Sequence, residues 1–408
     1  MFLLGHAVEC GFIYVSPIIL QNNGKVRYHT TIMFGECNQQ LSDGVTDFTS
    51  YKYLKNNVPC MSYESRTELY KKIEKIRGRP IISYMMSKRP FVGGVMGIDV
   101  IPEICEHIKS IPDSVKEIDL MIASQGGDPN VAWRIICLLR ERFEKVGVLI
   151  PFDAQSAATI LAFGADEILM HPFSCLGPID SQITIMSNNP TLTPNHFSVE
   201  DIKSFLAFVN DDLKLSSEEA GMRSLDYLSK ELMPTKLGFT KKSMKFTESL
   251  AKKLLEMHMK DSACISSIVE KFNTFAHHGY TVNRKEAKEL GLPVSKMEKE
   301  LEDLMWEIWR DAELEMKCNE PFDPLKIVTS DLNAMKRLNQ INHMAPISIE
   351  NIWYESVAAI VESMNVCSQY KTKVLIGAVR NNDLNIMCNV ATMPDGWKSV
   401  SGNKRGNQ

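Results

Sequence analysis

Ten of the 408 residues are cysteine, yet no two form a C-x-x-C pair and none joins histidine at zinc-ligand spacing. A recognisable zinc site is therefore excluded. Charge of one sign is lacking too: the formal net charge is −4, spread over both signs, without the basic footprint that nucleic acid requires. No run of about 18 uninterrupted apolar residues occurs, so no membrane-spanning helix is expected. Nucleotide loops are missing, because the turn Gln125-Gly126-Gly127-Asp128 has neither the Lys-Ser/Thr ending of a phosphate loop nor the Rossmann glycine spacing. Neither a cofactor nor a bound metal is expected. Cysteines scattered through so long a chain fit a reducing compartment, which points to the cytoplasm.

What remains is a soluble composition, 44% apolar and 24% charged, with length for about two to three domains. The apolar N-terminus lacks a basic n-region and carries His6 and Glu9, so it reads as a first strand before a turn at Asn22-Asn23-Gly24. Residues 65–80 have helical periodicity, and "PIISYMM" follows as a strand. From Ile98 the pattern alternates: helix "IPEICEHIKSI", strand "KEIDLMIAS", helix "DPNVAWRIICLLRERF" capped by Asp128, strand "VGVLIPF", helix "SAATILAFGA", strand "DEILMHP". Repeated units of this kind predict a mainly parallel sheet covered by helices. Residues 198–260 read as helices, Asn283–Ser295 as a short helix ended by Gly291, and 296–316 as a charged amphipathic helix whose Leu, Met and Trp stripe suits a core or subunit contact. A helix at 352–364 and a hairpin turning at Asn381–Asp383 predict a small C-terminal α+β module, followed by a polar tail. The basic runs around Arg77 to Pro90 read as solvated faces.

Two short stretches carry chemistry. In "ASQGGDPN" a glycine pair follows a buried strand and opens a helix, so backbone N–H groups of Gly126 and Gly127 are available to a bound oxygen. A plain βα turn would give the same residues. In "FDAQSAATILAFGADEI" Ser156 begins a helix among alanines, which suits a helix cap or a nucleophile that a substrate must approach closely. It is not a G-x-S-x-G elbow, since alanines take the glycine places. Both features end strands of one βαβαβ stretch, where α/β sheets build their sites. A glycine turn offering oxyanion donors beside a helix-start serine is an acyl-transfer arrangement.

With "SCLGPIDSQ" and "HHGYTVNRKEAKELGLPVS" added in this order, residues Arg79 to Ser295 resemble the serine dehydrogenase proteinase family, within the wider Clp-type and signal-peptide-peptidase serine protease fold. The resemblance implies a crotonase-like β–β–α superhelix with helical insertions, a homo-oligomer, and a peptide or protein substrate. It implies Ser156 as nucleophile, Gly126 and Gly127 as oxyanion donors, and the Ala157 N–H as a further one. The base is less direct. Clp-type relatives carry a histidine about 25 residues after the serine, where this chain has only Asp180. His278 in "HHGY" matches a family histidine and is taken as base, with Asp180 orienting it or anchoring its own turn; Lys203 is the alternative by order. His171 and His196 offer less, and the loop 187–198 is a candidate groove flank. The organisation implied is an N-terminal extension (1–78), a protease domain with a helical arm (79–295), a connecting helix (296–318) and the C-terminal module (319–408), which could recruit a regulatory partner. Two other readings stay open: a crotonase-type acyl-CoA enzyme and an inactive Clp-like scaffold.

Overall fold

In the computed structural model, residues 20–22, 25–27, 63–180, 182–185, 195–215, 217–232, 234–275, 277–340, 346–349, 351–381 and 385–401 are described. Strands β1 (Leu20–Asn22) and β2 (Lys25–Arg27) pair antiparallel on either side of the expected turn. The remainder of the N-terminal extension up to residue 62, most of the loop 187–198 and the tail from 402 lie outside the described residues.

The alternation from residue 63 folds as its punctuation predicts. Helix α1 (Tyr63–Arg77) ends at Gly78, whose φ of 68° is the left-handed turn that Pro80 then follows. Then come β3 (Ile81–Met86), α2 (Ile101–Lys109), β4 (Glu117–Ala123), α3 (Pro129–Arg142), β5 (Lys145–Ile150), β6 (Asp153–Ala154), α4 (Ala157–Ala162) and β7 (Glu167–Met170). Asp128 caps α3 by accepting the Asn130 N–H at 2.8 Å, and Pro129 takes its first position, where no N–H is needed. Strands β3, β4, β5 and β7 pair parallel in that order.

The apolar runs of these strands do not alternate with polar residues because the sheet is covered on both faces. Ile82, Tyr84 and Met86 of β3 enter one core with Ile118, Leu120 and Ile122 of β4 and the inner faces of α3 and α4. Their neighbours Ile81, Met85 and Met121 enter the opposite core with Leu69, Tyr70 and Ile73 of α1.

Downstream lie β8 (Cys175–Leu176), β9 (Gln182–Ile185), β10 (Asn195–Ser198), α5 (Val199–Ala207), α6 (Glu218–Leu232), α7 (Pro234–Glu256), α8 (Ser262–Asn273), β11 (Val282–Asn283), α9 (Arg284–Glu289) and α10 (Lys299–Glu315). Gly291, at φ 98°, ends the short α9 segment as expected. The stripe on α10 is core: Leu304, Met305, Ile308 and Trp309 close the second face of the sheet. Three short strands, β6, β8 and β11, make a small sheet beside the main one, with β6 and β8 parallel.

The C-terminal part departs from the sequence reading. After α11 (Pro324–Ser330) and α12 (Leu332–Leu338) come β12 (Ile347–Ser348), β13 (Ile352–Glu362), β14 (Cys367–Arg380) and β15 (Ile386–Ser401). The helix expected at 352–364 is strand β13. Its apolar residues happen to fall at helical spacing, but its Ile, Val, Trp and Tyr content suits a strand buried between two neighbours. It pairs antiparallel with β3 on one side and β14 on the other. The hairpin β14–β15 does form, and the whole unit continues the main sheet to eight strands.

A buried ion cluster fastens this extension. Arg66 of α1, fully buried, meets Asp311 and Glu315 of α10 and Glu362 of β13, with 2.6 Å to Glu315 and 2.5 Å to Glu362. The Tyr70 hydroxyl also donates to Glu362, at 3.0 Å. The basic run near Arg77 is corrected as well. Arg77 and Arg79 reach the fully buried Asp119 at 2.7 and 2.8 Å, and both reach Glu167. Arg89 is 5% exposed and donates to the Glu320 carbonyl and the Tyr354 hydroxyl. Among the described residues no helix is long and apolar enough to cross a membrane.

Candidate active site

The glycine turn follows β4. Gly126 has φ 102° and Gly127 φ 148°, conformations that favour residues without a Cβ. Space forbids a side chain as well. A Cβ on Gly126 would lie 2.8 Å from both the Gln155 carbonyl oxygen and Ser156 Cβ, and 3.0 Å from the Ala157 nitrogen. A Cβ on Gly127 would lie 2.5 Å from the Met96 backbone. The turn is clamped by that backbone: the Met96 N–H donates to the Gly126 carbonyl at 2.8 Å, and the Asp128 N–H donates to the Met96 carbonyl at 2.9 Å.

The Gly126 N–H is itself engaged, donating to Ser124 Oγ at 2.9 Å. Gly126 is buried, whereas Gly127 is exposed. The Gly127 and Ala157 N–H groups have no hydrogen-bond partner among the described residues. The serine two residues before the buried N–H is a side-chain-to-backbone turn signal that the sequence reading passed over. It moves the available donors from the glycine pair to Gly127 and Ala157.

Ser156 stands at the N-cap position of α4 but makes no capping hydrogen bond. Its φ of 51° and ψ of −116° fall outside the allowed regions for a residue with a side chain, and such strain gathers at functional turns. The hydroxyl is thus held by its backbone and left uncommitted to the helix. Small Ala157 and Ala158 let the first turn pack fully buried. The Thr159 hydroxyl lies 2.7 Å from the Ala154 carbonyl and accepts the Gly177 N–H at 3.0 Å, tying α4 to the segment after β8.

That segment ends in Asp180, whose Oδ1 lies 2.7 Å from His278 Nδ1. The loop carrying His278 is anchored at both ends to the same stretch. The Ile179 N–H donates to the Phe272 carbonyl at 3.0 Å, and Val282 of β11 pairs with Leu176 of β8. With Nδ1–H donated to the carboxylate, Nε2 is the lone-pair nitrogen, the arrangement a general base needs. The Ser156 hydroxyl bonds to neither His278 nor Asp180. Lys203 is more than half exposed on α5 and pairs with Glu200 at 2.6 Å. His171 is buried and stacked on Trp306 at 5.0 Å.

Sequence reasoning also missed the second layer around the serine. Asp153 accepts from Gln125 at 3.1 Å and from the Cys175 thiol at 3.2 Å, and Gln155 reaches Cys175 at 3.1 Å. These contacts lock the glycine turn to β6 and β8, and burial pushes the Cys175 thiol up to about 12.

Residues 55–198 match the ClpP-like SDH-type serine proteinase family. The family assignment holds for that stretch, about a third of the chain. The SDH-type segment contains the glycine turn, Ser156 and Asp180, while His278 lies beyond it. One uncharacterized protein of Methanocaldococcus jannaschii is 32% identical over 124 residues, 29% of this chain and 42% of its own length. A second from the same organism is 36% identical over 81 residues, 20% of this chain and 28% of its own. The chain therefore spans less than half the length of these curated relatives. Among solved structures, a membrane-bound stomatin-specific protease is 14% identical with a TM-score of 0.32, covering 54% of this chain and 82% of that one. A peptidase of Plasmodium falciparum is 14% identical with a TM-score of 0.30, covering 56% and 100%.

Proposed function

We propose that the chain is a serine peptidase acting through an acyl-enzyme on Ser156. The observation that carries this is the strained Ser156 backbone at a helix start, with its hydroxyl outside the cap and its Cβ against Gly126. Ser156 Oγ attacks the scissile carbonyl, and the developing oxyanion takes the Gly127 and Ala157 N–H groups. Gly126 supplies the close approach rather than a donor. His278 Nε2 receives the serine proton and returns it to the leaving amine, while Asp180 holds the imidazole in that tautomer. No hydrogen bond joins Ser156 to His278 in the structure, so the proton transfer needs substrate binding to bring the two within hydrogen-bond reach.

The family placement of residues 55–198 supports the same reading, which includes the Clp/crotonase-like superhelix and its helical arm. A homo-oligomer would use that arm, where Phe205, Phe208, Met222, Tyr227, Phe239 and Phe246 are exposed. The test is a fluorophosphonate probe on the intact chain. The protein labels and Ser156→Ala does not; labelling that persists unchanged in the mutant removes Ser156 from the chemistry. Turnover of acyl-CoA thioesters without peptide hydrolysis would favour a crotonase-type enzyme instead.

A further inference from the structure

A cavity of about 240 Å³ lies between residues 91–99 and strands β3, β14 and β15. Four of its lining residues are aromatic: Tyr84, Phe91, Tyr370 and Trp397. The Tyr84 and Trp397 rings stand 6.4 Å apart at 54°, and those of Tyr370 and Trp397 stand 5.5 Å apart at 68°. Separations of this size are those of directly packed tilted and edge-to-face pairs, so the three rings form one continuous aromatic wall of the cavity. Asp99 fixes the arrangement by accepting the Trp397 indole N–H at 2.8 Å. That bond uses one of about four lone-pair sites on the carboxylate, so the group remains open to a second donor.

Among the described residues no lysine, arginine or histidine lines the cavity. Tyr84 is 1% exposed, and its hydroxyl bonds to none of the described residues although it lines the cavity. Ring faces carry negative quadrupole density, and a carboxylate beside them in a partly dry space deepens the negative potential. Apolar wall from Val95, Ala359 and Pro394 suits an alkyl stem. A cation on a flexible apolar stem satisfies the rings, the carboxylate and the Tyr84 oxygen together; an anion or a bare alkyl group satisfies at most the wall.

The position also matters. Gly94, Val95 and Gly97 line the cavity on either side of Met96, the residue whose backbone clamps Gly126 and Asp128. We propose that this cavity receives the basic side chain, arginyl or lysyl, of a bound polypeptide, one strand spacing behind the glycine turn. The site stands apart from the acyl-transfer chemistry, so its binding is measured without turnover.

The experiment is calorimetric titration of the full chain carrying Ser156→Ala with acetyl-Gly-Arg-Gly-amide, its norleucine counterpart and agmatine. The arginyl peptide binds at least about tenfold more tightly than the norleucyl peptide, the range of a partly desolvated cation–π and ion pair. Asp99→Asn keeps an acceptor for the Trp397 N–H but removes the charge, and it brings the arginyl peptide down to the norleucyl level. Phe91→Ala, at an exposed ring, weakens the arginyl peptide several-fold, and melting curves show that both variants stay folded. Equal affinity for the two peptides, or an arginyl affinity unchanged by Asp99→Asn, overturns the proposal. Agmatine binding with the arginyl peptide excluded overturns its assignment to a polypeptide.

Discussion

Replacing Gly126 by alanine tests the site where its geometry is tightest. The added Cβ would stand 2.8 Å from Ser156 Cβ and from the Gln155 carbonyl oxygen, and 3.0 Å from the Ala157 nitrogen. All three neighbours are close to the backbone, so none can swing away as a long side chain would. The φ of 102° adds strain of order 1–3 kcal/mol, and overpacking adds a similar amount. A loss of about 3 kcal/mol in unfolding free energy is expected. The displaced atoms are the nucleophile's own Cβ and a proposed oxyanion donor, so the fluorophosphonate labelling rate should fall by about 10²–10³ even where the protein is folded. Gly78→Ala is the control. It also has positive φ, at 68°, but a Cβ there meets nothing within 4 Å, so it costs about 1 kcal/mol and leaves labelling unchanged. Urea titration gives the stabilities, and labelling is measured well below either midpoint. If the two alanine variants match in stability and in labelling rate, then crowding against Ser156 is not what fixes this turn, and the reasoning fails.

Labelling should fall about hundredfold or more in His278→Ala and in Asp180→Asn, with Lys203→Ala unchanged; a large loss in the lysine variant alone would move the base to α5. Arg66→Met leaves Asp311, Glu315 and Glu362 facing one another without their cation, and should cost about 3–5 kcal/mol by urea titration. His107 is fully buried, bonded through Nδ1 to Ser363 Oγ at 2.9 Å, and burial lowers it from 6.5 to about 4. The folded state then binds fewer protons than the unfolded one between those values. Its stabilising contribution is present above pH 6.5 and is lost as pH falls toward 4, by about 2 kcal/mol at pH 5. Unfolding free energies of the parent and His107→Gln between pH 7.5 and 5 check this through the difference in slope.

The parts of the fold that the sequence made legible are those whose cause is local. Asp128 before Pro129 and Gly78 before Pro80 each state their backbone geometry within a few residues. The failures share one physical origin, which is pairing with something far along the chain. Residues 352–364 read as a helix because cores on both faces of the sheet, one taking Ala359 and Val361 and the other Ile360, erase the alternation that marks a half-exposed strand. Arg77 and Arg79 read as solvated because their partner Asp119 sits two strands of sequence away, although an acid inside "KEIDLMIAS" was itself a signal that a cation must come to meet it. Helix α8 passed unread although Asp261 caps it by accepting the Ala263 and Cys264 N–H groups.

The site divides in the same way. Strain at Ser156 and the conformation of the glycines are local, whereas the Asp180–His278 contact joins residues 98 apart and was suggested only by the family resemblance. Two features make that contact more than coincidence. The loop is tied at Phe272 and at Val282 to the stretch 176–179, and Thr159 ties the serine helix to Gly177 in that same stretch. One short segment, β8 and the four residues after it, therefore sets the position of the helix bearing the nucleophile and of the loop bearing the histidine. At Gly177 a Cβ would meet the end of the Gln155 side chain, which can swing aside, so crowding there reaches the frame only through Gln155 and its contact with Cys175. Residues 175–180 are thus the frame of the site, although none of them but Asp180 carries a group suited to the chemistry.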